Sequence, residues 1–159
     1  MNTLISNYSF RSSTQNIVGI EALLLYKHRS QIVEKQQESA SSVIGSLKDI
    51  ILETFQECIT DDWDCYGAKA ISSEVVHETF KFVDLLPVDI TMPEVIPEPS
   101  GDIGLFWKKS KGQVLSLSIT SKGVISFAYL FGKDEGCGHL HFFDELPKMI
   151  INMLQVIQK

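Results

Sequence analysis

Between residues 40 and 59 the apolar side chains Val43, Ile44, Leu47, Ile50, Ile51, Phe55, Cys58 and Ile59 recur every three or four positions. That spacing predicts an amphipathic helix with one buried stripe. It returns at Val75, Val76, Thr79, Phe80, Val83 and Leu86. Ser72 or Ser73 is suited to cap the start of this second helix, and Pro87 to stop it. Leu146, Met149, Ile150, Met153, Leu154 and Ile157 form a third stripe, and Asp144 is placed to cap that C-terminal helix.

The period changes from 3.6 to 2 after residue 102. "DIGLFWKK" puts Ile103, Leu105 and Trp107 on one face. "QVLSLSIT" sets Leu115, Leu117 and Ile119 opposite Val114, Ser116 and Ser118, and "VISFAYLF" sets Ile125, Phe127, Tyr129 and Phe131 opposite smaller residues. Two "SKG" turns separate these runs, which predicts consecutive antiparallel strands joined by short hairpins. "GKDEGCG" reads as a polar loop before a short fourth strand, "HLHFF". Between helices and strands lies "PVDITMPEVIPEPSGD", whose prolines predict an extended, irregular bridge. Its Ile90, Val95 and Ile96 should pack on the body. Helices succeeded by a run of strands give an α+β fold: a four-stranded antiparallel β-meander packed against helices, with an N-terminal helical region and a C-terminal helix.

The chain before residue 39 is different. Residues 1–15 are polar, and "IVGIEALLLY" then opens an apolar segment running to about Val33. A buried helix is expected there, with a strand around 17–26 as the alternative, since periodicity does not separate the two in so short a run. The polar "EKQQESASS" separates this segment from the helix expected over 40–59. One domain of 159 residues is expected, with 1–38 as an N-terminal arm and assembly segment and 39–159 as the core. Leu23, Leu24, Leu25 and Tyr26 are contact candidates for an assembly interface, because aliphatic and aromatic anchors make interface cores. An ordinary core helix is the alternative.

Composition narrows the job. Charged residues make up 21% and the net charge is −6, which argues against a non-specific binder of nucleic acid. Trp107, Phe127 and Tyr129 would be able to stack bases, but their face must cover the helices. Lys108, Lys109, Lys111 and Lys122 fall at hairpin ends, where lysines commonly blunt sheet edges. The three cysteines, Cys58, Cys65 and Cys137, are odd in number and contain no CxxC, so reduced thiols in a cytoplasmic protein are expected. "IVGIEALLLY" lacks a basic lead-in and a cleavage site, and is too short to span a bilayer, so no membrane partner is expected.

The densest chemistry is "DDWDCYGAKAIS", residues 61–72. Trp63 and Tyr66 are expected to be largely buried, anchoring an inter-helix loop and tying the helix over 40–59 to the sheet. Asp61, Asp62 and Asp64 would satisfy turn backbone or, alternatively, gather a divalent cation, though no EF-hand pattern is present. Glu53 and Glu57 form an i,i+4 carboxylate pair, expected to lie on a solvated face. In "CGHLH", Cys137, His139 and His141 alternate on one strand face, a weak zinc or copper candidate with Cys65 or His77 as a fourth ligand. Cys137 beside a histidine also suggests a thiolate pair. The nucleophile-elbow, Walker A and Rossmann patterns are absent from the sequence.

"DDWDCYGAKAIS", "PEPSGDIGLFW", "LSLSITSKGVISFAYLFG" and "GHLHFFDELPKMI" together resemble a family of small bacterial proteins. The family's pattern reads WDGYGA-x-P-I-S, then P-x-P-x-G-x-I-x-L-x-W, then S-I-x-x-x-G-x-I-x-Y-A, a glycine-rich piece and F-x-x-x-L-P. The likeness covers roughly residues 61–151. Cys65 stands where the pattern has glycine, and Ala70 where it has proline. The resemblance brings no reaction and no catalytic residues; it implies an accessory gene of the toxin–antitoxin or phage-defence kind. The resulting expectation is a non-enzymatic subunit that works through a protein partner or as a homo-oligomer, without cofactor. Trp63, Asp64 and Tyr66 are its binding candidates in the loop. A small metal-dependent hydrolase or a nucleic-acid-binding accessory protein is the alternative.

Overall fold

The computed structural model describes residues 43–159. Helix α1 covers residues 43–57 and α2 spans Ser73–Asp84. Five strands come next: β1 (Glu94–Pro97), β2 (Ile103–Ser110), β3 (Gln113–Ile119), β4 (Val124–Phe131) and β5 (Asp134–His141). Helix α3, Lys148–Gln158, ends the fold. The strands form one antiparallel sheet in the order β1-β2-β3-β4-β5, an unbroken meander. The fold is α+β as expected, but the sheet has five strands rather than four.

The extra strand comes from the proline-rich bridge. Val95 pairs with Leu105 and Ile96 with Gly104. Pro97 sits on the outer edge, where a missing N–H costs no ladder bond. Ile90 and Pro93 are buried and Val95 is half-buried, whereas Ile96 is exposed on the far face. The Trp107 indole N–H donates to the Thr91 carbonyl at 2.7 Å, fixing the bridge to β2.

"GKDEGCG" is another correction: it is not a loop. Gly132 and Lys133 make a two-residue turn, and β5 starts at Asp134, paired with Phe131. Gly132 has φ 72° at the first turn position, which only glycine adopts freely in a hairpin of this kind. β5 ends at His141, so Phe142 and Phe143 lie beyond it.

The core lies between the helices and one sheet face. That face carries Ile103, Leu105, Trp107, Leu115, Leu117, Ile119, Ile125 and Phe127, all buried. Leu47 and Ile51 of α1, Val75, Val76, Phe82 and Val83 of α2, and Ile150, Met153, Leu154 and Ile157 of α3 complete it. The rings of Phe82 and Phe142 meet edge to face at 5.7 Å. Each helix buries most of the stripe its spacing predicted, but Ile50, Ile59 and Met149 are exposed, and in α2 Phe82 is fully buried while the expected Phe80 is half-buried.

The caps obey local chemistry. The Ser72 hydroxyl accepts the Val75 N–H, and α2 stops at Asp84, before Pro87 is reached. Helix α3 is preceded by Pro147 and has no side-chain cap, so Asp144 does not play that part. Pro147 does instead what proline does at a helix start, presetting φ where no intrahelical N–H is needed. The buried hydroxyls of Thr54 and Thr79 donate to Ile50 O and Val75 O, which satisfies both within their own helices. No described helix is long and apolar enough to cross a membrane.

Candidate interaction site

The loop after α1 is closed at its neck. Ile71 N–H donates to Cys58 O at 2.9 Å, so residues 59–70 leave and return at one point, as in an Ω-loop. Inside it the three aspartates face backbone. Asp61 Oδ1 accepts Ala70 N–H at 2.9 Å, and Asp62 Oδ1 accepts Gly67 N–H at 2.8 Å. Asp64 Oδ1 accepts two, from Tyr66 at 2.8 Å and Ala68 at 3.1 Å. Asp62 N–H donates to Ala68 O at 2.6 Å and Cys65 N–H to Asp62 O at 3.0 Å. Acceptors are placed against nearly every turn of this chain segment, which is what aspartate does best in tight loops. Among the described residues no group of three His, Cys, Asp or Glu side chains converges as metal ligands would.

This folding needs left-handed backbone at three positions: Asp62 (φ 65°), Cys65 (φ 62°) and Gly67 (φ 89°). Aspartate tolerates that region, and glycine is free in it; cysteine is strained there. Position 65 thus carries a cysteine where the backbone favours glycine.

Trp63 and Tyr66 part ways. Trp63 is half-buried against the core, and its indole N–H donates to Lys69 O at 3.0 Å. Tyr66 is 93% exposed, contrary to the expectation of burial. The aspartate bonds and Trp63 already fix the loop, so nothing pulls the phenol inward. Its ring is presented to solvent from a backbone that is held.

The loop rests on the β1–β2 turn. Lys69 N–H donates to Pro99 O at 2.9 Å. Gly101 has φ 88°, and a Cβ there would stand 2.8 Å from Ala70 O. Lys69 and Ala70, at the end of the loop, therefore meet the "PEPSGD" segment some thirty residues on, backbone to backbone. Beside them stands Glu98, which is not among the sequence candidates. Its Oε2 accepts the Ser118 hydroxyl at 2.8 Å, and Gly104 leaves room for its other oxygen. The hint in the sequence is weak: a glutamate and a serine twenty positions apart announce no contact.

The other candidates are dispersed. Cys137, His139 and His141 alternate on the exposed face of β5, as their spacing indicated, and remain apart from Cys65 and His77, which are exposed elsewhere. Lys111 lies in the β2–β3 turn and Lys122 in the β3–β4 turn, at opposite ends of the sheet, so the lysines form no single edge. Trp107 and Phe127 are buried under the helices. Glu53 and Glu57 are exposed on α1. Burial, then the charge of Glu57, pushes the Cys58 thiol pKa up, which keeps it protonated and unreactive. Leu23, Leu24, Leu25 and Tyr26 lie outside the described residues.

An open groove of about 540 Å³ runs between α3 and the β4–β5 hairpin, with Tyr129, Phe131, Met149, Met153 and Val156 on its apolar side and Lys133, Asp134, Glu135 and Asn152 on its polar side. Beside it, β5 offers Gly136 and Gly138 to the inner face. The rings of Tyr129 and Phe127 lie across those glycines in place of β5 side chains.

Compared with known proteins, the chain matches no family model, no curated protein and no solved structure.

Proposed function

We propose that this chain is a non-enzymatic protein-binding component, working as an accessory of a bacterial multi-gene system of the phage-defence or toxin–antitoxin kind. One observation carries the binding part: Tyr66 stands 93% exposed on a loop whose backbone is already held by aspartates and Trp63. A tyrosine presented this way loses little conformational freedom on docking, and such rigid aromatics are frequent interface hot spots. The operon context rests on the sequence resemblance alone.

The test is affinity capture from the native host with wild-type chain and Tyr66→Ala, read by mass spectrometry. A partner retained by wild type and lost with Tyr66→Ala, at unchanged melting temperature, supports the reading. Equal capture by both, or no partner at all, overturns it.

A further inference from the structure

The two edges of the sheet are not treated alike. β1 is four residues long, and Pro93, Pro97 and Pro99 lie in or beside it. β5 is eight residues long, contains no proline and has no strand partner on its outer side among the described residues. Its pairing shows which groups are free. The Gly132–Lys133 turn closes Phe131 on Asp134 as a hydrogen-bonded pair, and such pairs alternate along an antiparallel ladder. Asp134, Gly136, Gly138 and Leu140 therefore spend their backbone groups on β4. Glu135, Cys137, His139 and His141 direct theirs outward.

We propose that β5 pairs antiparallel with β5 of a second copy of this chain, with Gly138 on the twofold axis, joining two sheets into one of ten strands. The strand is asymmetric in the way self-pairing needs, with the acceptor carboxylates Asp134 and Glu135 at one end and the imidazole N–H donors His139 and His141 at the other. An antiparallel twofold brings opposite ends together, so Glu135 faces His141 of the second copy at both ends, and Cys137 faces His139. All four outward-directed residues are matched, which a shift of the axis to Cys137 would not achieve. The inner face fits as well. Leu140 falls opposite Gly136 of the second copy, beside the Tyr129 ring that lies across that glycine. Tyr129 also lines the groove beside α3, together with Asp134 and Glu135 of β5. Backbone bonds thus give the association, and the glycine–leucine match gives the register.

Sedimentation equilibrium on the full chain tests this. Wild type is expected to be a dimer. His139→Pro removes an outward N–H and leaves the β4 ladder intact, so it is expected to give a folded monomer. Glu135→Lys and His141→Glu, each placing like or mismatched charge across the axis, are each expected to weaken the dimer at least tenfold, and the double variant to restore it. A wild-type monomer at the highest soluble concentration overturns the proposal. So does a dimer that ignores all of these changes, including one broken instead by Leu25→Asp. This outcome is independent of Tyr66, which lies on a different loop.

Discussion

Tyr129 lies flat over Gly136, its cross-strand partner, so closely that a Cβ on Gly136 would sit 2.8 Å from the ring. Phe127 covers Gly138 in the same way, with a Cβ distance of 2.8 Å. Tyr129 also stacks on Phe131 at 5.0 Å and on Phe127 at 6.5 Å, so three rings run along β4. Glycine weakens a strand, and an aromatic ring laid across it restores the lost packing. Gly136→Ala should then cost about 1–3 kcal/mol, as overpacking does. Tyr129→Leu made together with it should cost less than the sum of the two. Urea denaturation of the four members of the cycle measures the coupling.

Asp64 holds two backbone N–H groups through one oxygen, and Asp61 holds one. Asp64→Ala should lose about 1–3 kcal/mol and Asp61→Ala about 1 kcal/mol. Asp64→Asn keeps an oxygen acceptor and should stay close to wild type. A cation role would reverse that last result: Asp64→Asn would fall with Asp64→Ala, and added calcium would raise the wild-type melting temperature alone.

Cys65→Gly should stabilise the protein by about 1 kcal/mol, because φ 62° strains a cysteine, which lacks the local side-chain bonds that let Asp62 tolerate the region. Gly101→Ala should do the reverse, since φ 88° and Ala70 O both oppose its methyl group. Thermal melts of the two variants check both signs.

The two aromatics of the loop should separate cleanly. Trp63→Ala removes a half-buried indole and its bond to Lys69 O, for a loss of about 2–3 kcal/mol, below that of a fully buried tryptophan. Tyr66→Ala should change stability by under about 0.5 kcal/mol. Chemical denaturation of both variants gives the comparison.

Cys65 and Cys137 are exposed and Cys58 is buried, with burial and Glu57 raising its pKa. A thiol reagent should modify two cysteines quickly in the native protein and the third only after unfolding. The raised pKa sets the sign of the pH effect. Cys58 stays neutral in the fold while the unfolded chain ionises it, so its contribution is intact below the ordinary thiol pKa and is lost as pH rises past it. Cys58→Ala should flatten stability against pH in that alkaline range.

The elements whose buried stripe is continuous were legible in the order of residue types. The stripes at 43–59, 75–86 and 146–157 became three helices, and strict alternation over 103–131 became three strands in order. Burial of one face has a period, and the period is written in residue types. Only the tertiary structure decided the rest. β1 carries prolines and β5 carries glycines, so neither has a strand-like composition. Val95 is a strand residue because Leu105 is beside it, and Gly136 is one because Tyr129 supplies the ring that its own position lacks. The candidate site divides the same way. That the three aspartates would serve turns was legible in their type, since a short carboxylate caps nearby N–H groups wherever a chain bends. That Trp63 turns inward while Tyr66 stays out was not. Composition gives both rings the same motive for burial, and it is the folded loop that packs Trp63 on the core, its N–H on Lys69 O, and leaves Tyr66 on the outside.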